Sequence, residues 1–115
     1  MICIRLLSAA VAFTGFVMFT ATSALAADAT RGQEIYVRIG CVSCHGSVGQ
    51  GAVSGAKLAP DPLPMEVILD YIRAPAQDMP PYREAVLSDE EVADIHAYLE
   101  SIPPSPNVED TILAE

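Results

Sequence analysis

The sequence predicts an all-α fold, and three observations carry that expectation. Thr30-Arg31-Gly32-Gln33 and Ser88-Asp89-Glu90-Glu91 each pair a hydroxyl with a side chain three residues on that can reach back, the reciprocal signal of a helix start. Met65, Ile68, Leu69 and Ile72 recur at helical spacing, and Val92, Ile95, Leu99 and Ile102 line one face of a later segment. No stretch alternates apolar and polar residues convincingly enough to make a strand.

The first helix is expected to begin at Thr30, to carry Ile35, Val37 and Ile39 in a mixed apolar pattern, and to end at Gly40 and the cysteine-rich turn. Four glycines between Gly46 and Gly55 mark a loop that must bend tightly or pack closely against something flat. Pro64 suits the first position of a second helix, which closes before Pro75. A second loop, 74–87, holds Met79-Pro80-Pro81-Tyr82, and the third helix runs from Ser88 to Pro103-Pro104. The segment 103–115 is a proline-bearing, acidic tail.

The 115 residues are 51% hydrophobic with a net charge of -9, but the average hides two segments. Residues 1–26 hold all three phenylalanines, a lone early charge at Arg5, an apolar run from Leu6 to Ala21 and a small-x-small site at Ala24-Leu25-Ala26. That pattern is a secretory signal peptide. Ser8, Thr14 and Gly15 break the run, which falls short of the roughly 20 apolar residues of a membrane span; an uncleaved leader acting as a membrane tether is the alternative. The mature chain is then exported, to the periplasm in a bacterium, and carries only Cys41 and Cys44, since Cys3 leaves with the leader.

The 89 residues that remain have no Phe and no Trp. A chain so short buries a modest fraction of its surface and needs a staple or a cofactor. Its five basic and fifteen acidic groups argue against nucleic acid or an anionic membrane surface as partner. The charge is lopsided: 27–59 carries three basic and two acidic groups, 60–115 two basic and thirteen acidic.

Cys41-Val42-Ser43-Cys44-His45 admits three chemistries. A thioredoxin-like redox pair needs a βαβ context that the sequence lacks. A structural zinc site needs about four Cys or His ligands, and beyond the two cysteines only His45 and His96 are present. The third is covalent haem attachment, two thioether bonds with the adjacent His45 as axial iron ligand. The leader, the glycine-rich loop and a downstream Met in a proline loop favour the third.

With those residues in view, the sequence resembles a small monohaem class I cytochrome c of the bacterial periplasmic type. The likeness runs from about Thr30 to Ile102. It rests on Gly32 and Tyr36, Cys41 to Gly46, Gly55-Ala56-Lys57-Leu58, Met79-Pro80-Pro81-Tyr82, and Leu87 to Leu99. The resemblance implies a cytochrome c-like fold, with three main helices wrapped around one covalently bound haem c. It also implies that Gly32 lets Tyr98 approach closely and that the carbonyl of residue 56 accepts a hydrogen bond from His45. Many members have proline where this chain has Ala56; a carbonyl is present with either residue.

Met65, Met79, His96 and Lys57 are candidates for the sixth iron ligand. Met65 lies on an apolar helical stripe, where methionine is usually core filler. Met79 precedes Pro80, which biases it to extended backbone, and it stands where the family places its ligand. His45 and Met79 are therefore the expected axial ligands. Arg73 and Tyr82 are candidates for a haem propionate, and Arg73 equally complements its own helix C-terminus.

Iron so held has no open position and passes one electron. The expected domains are a signal peptide (1–26), a cytochrome c domain (27–102) and the tail (103–115). The expected function is a periplasmic one-electron carrier, or the non-catalytic cytochrome subunit of a dehydrogenase. Its partners would be redox proteins: a dehydrogenase, an oxidase or another cytochrome. A haem-based gas or redox sensor, or the haem module of an enzyme, with a displaceable sixth ligand is the alternative, and a structural subunit is a third. Without haem joined to Cys41 and Cys44, residues 27–115 are expected to stay largely unfolded. Far-ultraviolet circular dichroism of the apo form checks this, and a native helical spectrum would contradict it.

Overall fold

A computed structural model describes residues 26–106. Of the segments expected at the ends, residues 1–25 of the leader and 107–115 of the tail lie outside the described residues. Four helices run through the remainder: α1 (Ala29–Ile39), the single turn α2 (Val42–His45), α3 (Met65–Arg73) and α4 (Asp89–Ser101). Among the described residues the only β feature is an isolated bridge between Ala52 and Gly55. None of the described helices is long and apolar enough to cross a membrane.

Each boundary has a local cause, and two differ from the sequence expectation. Asp28, not Thr30, caps α1: its carboxylate accepts from the N–H groups of Thr30 and Arg31 at 2.8 and 3.2 Å. Both residue types cap well, and Asp28 has a tertiary contact in addition. The N–H of Asp28 donates to Asp94 Oδ1 at 2.7 Å, which fixes the entry of the chain onto α4. Thr30 therefore falls inside the helix. Pro64 likewise precedes α3 instead of opening it, with ψ at 143° outside the helical range, while its carbonyl accepts the first helical bonds from Val67 and Ile68. At α4 the expected capping box is present in full. Ser88 Oγ accepts from Glu91 N–H at 3.2 Å, and Glu91 Oε2 accepts from Ser88 N–H at 3.0 Å.

The core is the contact of α1 with α4. Ile35 and Tyr36 meet Val92, Ile95, Tyr98 and Leu99; α3 contributes Ile72, and the connections contribute Ala59 and Leu87. The rings of Tyr36 and Tyr98 lie 5.6 Å apart at 57°, a tilted pairing that aromatic quadrupoles favour. Gly32 permits this approach, though not through Tyr98. A Cβ at Gly32 would overlap the backbone carbonyl of Asp94, so what the glycine admits is the main chain of α4 itself.

Ion pairs bracket the same interface. Arg38 meets Glu91 at 2.6 Å, and Arg31 Nη1 lies 2.8 Å from Asp94 Oδ2 without the alignment of a hydrogen bond. Asp94 is buried, so its charge depends on these partners, whereas the exposed Arg38 adds up to about 1 kcal/mol through its pair. Gly32→Ala should gain up to about 1 kcal/mol of helix propensity and lose more by forcing α4 away, for a net destabilisation of about 1–3 kcal/mol. Thermal melting of the holoprotein checks it.

Candidate haem-binding site

Gly40 ends α1 in a left-handed conformation, φ 91°, and turns the chain so that residues 41–45 form a helical turn of their own. The amides of Cys44 and His45 both donate to the carbonyl of Cys41. The two thiols are thus three residues apart on one short turn, the spacing at which helical side chains share a face, with His45 directly after. Cys44 is exposed and Cys41 half-buried, and both are free thiols.

His45 is oriented by the loop that follows it. Its Nδ1 lies 2.7 Å from the carbonyl oxygen of Ala56. A carbonyl only accepts, so Nδ1 carries the proton and donates, which leaves the Nε2 lone pair for a ligand bond. Alanine serves here as well as proline because the group used is main chain. Gly55 makes the approach possible: a Cβ there would run into the Cys44 carbonyl and stand 3.0 Å from His45 Nδ1. Of the four loop glycines, Gly55 thus serves close packing on the Cys44–His45 turn, whereas Gly46, Gly49 and Gly51 have positive φ and serve tight bending.

Two tyrosines hold the start of the same loop. Tyr36 Oη donates to the carbonyl of Gly46 at 2.9 Å and Tyr98 Oη to that of Ser47 at 3.2 Å. Gly49 then accepts from the amides of Leu58 and Ala59 at 2.7 and 2.9 Å and closes the loop on itself. Burial pushes the Tyr36 phenol from 10.0 up to about 12, with the charges of Cys41 and Tyr98 adding and a Gly49 backbone contact opposing. Burial also raises the Cys41 thiol, and Cys44 adds to it. A raised thiol is the reverse of the low-pKa nucleophile of a redox pair. Among the described residues, no three His, Cys, Asp or Glu side chains gather in a group that could hold a metal ion.

The other candidates are placed as follows. His96 Nε2 donates to the carbonyl of Leu63 at 3.0 Å and Nδ1 faces Glu100 at 3.5 Å, so both nitrogens hold the 46–64 connection and the end of α4. Lys57 is exposed. Met65 and Met79 both pack, half-buried, on the core. Tyr82, three residues beyond Met79, has its phenol raised by burial and, next, by the charges of Cys41 and Cys44. Arg73 faces the Met79 loop: Nη1 donates to the carbonyl of Tyr82 at 2.8 Å and Nη2 pairs with Asp89.

A flat apolar group suits these surroundings. Leu58, Met65, Ile68, Leu69, Met79 and Tyr82 pack on the core but are only half-buried, and the Ala56 bond engages Nδ1 of His45 and not Nε2. The hydrogen bonds of the Tyr36 and Tyr98 hydroxyls and the pairing of Asp28 with Asp94 escaped the sequence reading, in which Tyr36 entered only as part of the family resemblance and Tyr98 only as a neighbour of Gly32.

A helical fold built around a Cys-x-x-Cys-His turn of this kind defines a cytochrome c domain, a module for electron transfer. The chain belongs to the family described as cytochrome c oxidase, cbb3-type, subunit III, whose model matches residues 27–99. Among curated proteins it is similar to the cytochrome bc1 complex cytochrome c subunit of Corynebacterium diphtheriae, 37% identical over 84 residues, or 70% of this chain and 30% of that one. The protein of the same name in Mycobacterium tuberculosis is 39% identical over 75 residues, 63% of this chain and 26% of that one. The chain thus spans under a third of the length of these relatives. No solved structure matches it significantly.

The raised Tyr36 phenol stabilises the fold fully below pH 10, and its contribution is lost as pH climbs toward about 12, because the unfolded phenol ionises first. The part due to Cys41 disappears once that sulfur is a thioether. Tyr36→Phe should cost about 1 kcal/mol at neutral pH for the lost hydrogen bond and flatten the fall in stability above pH 10. Denaturant unfolding of both proteins at pH 7 to 11 checks it.

Proposed function

We propose that the chain is a one-electron carrier of the monohaem class I type, with one haem c joined to Cys41 and Cys44 and iron held by His45 and Met79. The observation that carries the reading is the Nδ1 bond of His45 to Ala56, which leaves Nε2 as the ligand nitrogen on a turn that also presents both thiols. When bound, the haem supplies a reversible ferric/ferrous couple, and a thioether sulfur on iron raises its potential. The protein's part is to hold that couple still. The Tyr36 and Tyr98 hydroxyls, Gly55 and the Ala56 carbonyl fix the histidine side, and the half-buried Leu58, Ile68 and Leu69 keep water from the face they cover. With His45 and Met79 both holding it, the group would supply one-electron transfer and would leave no position for a substrate.

The domain spans 27–102, after a cleaved leader (1–26) that exports it to the periplasm, and the acidic tail (103–115) follows. Its partners are redox proteins. The bc1-complex cytochrome c subunits among its relatives favour a respiratory complex over a soluble dehydrogenase as the neighbour.

Protein matured with haem-attachment machinery should have the mass of residues 27–115 plus one haem. The ferric form should show the far-red sulfur-to-iron absorption band. Met79→Ala should abolish the band, lower the potential and open the ferrous iron to carbon monoxide, while Met65→Leu should leave the band intact. A band that survives Met79→Ala sinks the ligand assignment, and carbon monoxide binding to the unaltered protein favours a sensor.

A further inference from the structure

The ligand reading leaves open what holds Met79 in place. The loop 74–87 leaves the end of α3 and returns at Tyr82, which is bound to α3 on both sides of its own residue. Tyr82 N–H donates to the carbonyl of Ile72 at 2.8 Å, and the Tyr82 carbonyl accepts from Arg73 Nη1 at 2.8 Å. The second arm of the same guanidinium pairs with Asp89, the first residue of α4. One planar fork therefore joins three elements: the end of α3, the loop, and the start of α4. On the other side of Met79 the described ties are closer to the helix end: Ala74 N–H to the Asp70 carbonyl at 3.2 Å and the long Tyr71 Oη to Ala76 contact of 3.4 Å.

Between Tyr82 and Met79 stand Pro80 and Pro81 alone. Neither has an N–H with which to anchor itself, and each has a fixed φ, so the pair is a stiff spacer. Where Tyr82 is held, Met79 is held with it. The arginine is also in the right place to be strong. Its side chain is 26% exposed, and a guanidinium bond to a carbonyl, backed by a carboxylate, is charge-assisted.

We propose that Arg73 is a positioning residue that latches the Met79 strap, and that its grip sets how readily the sixth position opens. This rests on Met79 as the iron ligand. Its failure and the failure of that reading can be told apart, because the band test on Met79→Ala addresses the ligand alone.

The experiment is the binding of external imidazole to the ferric holoprotein, followed by loss of the far-red band, in wild type and in Arg73→Gln. An unlatched strap surrenders the position more easily. Arg73→Gln should bind imidazole about tenfold more tightly, the worth of one charge-assisted hydrogen bond, with its helical circular dichroism unchanged. Asp89→Asn leaves the bond to Tyr82 and removes only an exposed ion pair, so its affinity should rise by no more than about fivefold. Arg73→Lys keeps the charge but loses the fork, and should fall between the two. If Arg73→Gln does not accumulate as folded holoprotein, the Arg73→Lys measurement decides. Wild-type imidazole affinity in whichever of these two variants decides overturns the proposal.

Discussion

Contact between two backbones is the constraint on which the rest of the molecule depends. At Gly32 the main chain of α1 lies against that of α4 at Asp94, at a distance no side chain could share. Because the helices meet there, Tyr36 and Tyr98 pair, and both hydroxyls reach carbonyls of the loop that leaves His45. That loop then passes over the Cys44–His45 turn, which Gly55 allows, and delivers the Ala56 carbonyl to the histidine ring. A missing Cβ on one helix and a missing Cβ on a loop thus govern the orientation of one imidazole.

Charge is distributed to the same end. Arg31, Arg38 and Arg73 each pair with a carboxylate in the first half of α4, namely Asp94, Glu91 and Asp89. The acidic start of that helix, which complements the helix dipole, is thereby a mooring for α1 and α3. The exposed pairs contribute little stability one by one. Their geometric effect is larger, because they fix the angle at which two elements meet a third.

What the sequence made legible was local. The capping box at Ser88 was readable because all its atoms lie within four residues, and the Cys41–His45 turn was readable because its chemistry is written in adjacent letters. The helical stripes of α3 and α4 were readable from spacing. What was not legible depends on residues distant in the chain. Asp28 caps α1 in place of Thr30, and its own amide is bound by Asp94, 66 residues on, a contact no local pattern reports. Gly32 was read as a partner of the Tyr98 side chain, whereas the close contact is with the Asp94 backbone. Arg73 offered two uses, a propionate or its own helix end, and its contacts with the Tyr82 carbonyl and with Asp89 were not among them because both partners lie nine or more residues away.

The pairing of α1 with α4 also imposes an order in time. A chain is made from its N-terminus, so α1 and the Cys41–His45 turn exist for some fifty residues of synthesis before Asp94 and Tyr98 arrive to cover them. Contacts this distant in sequence form slowly. Through that interval the loop after His45 lacks the Tyr98 hydroxyl that binds the Ser47 carbonyl, and α1 lacks the α4 side chains that bury Ile35 and Tyr36. The histidine side of the site is thus completed by the last helix to be made.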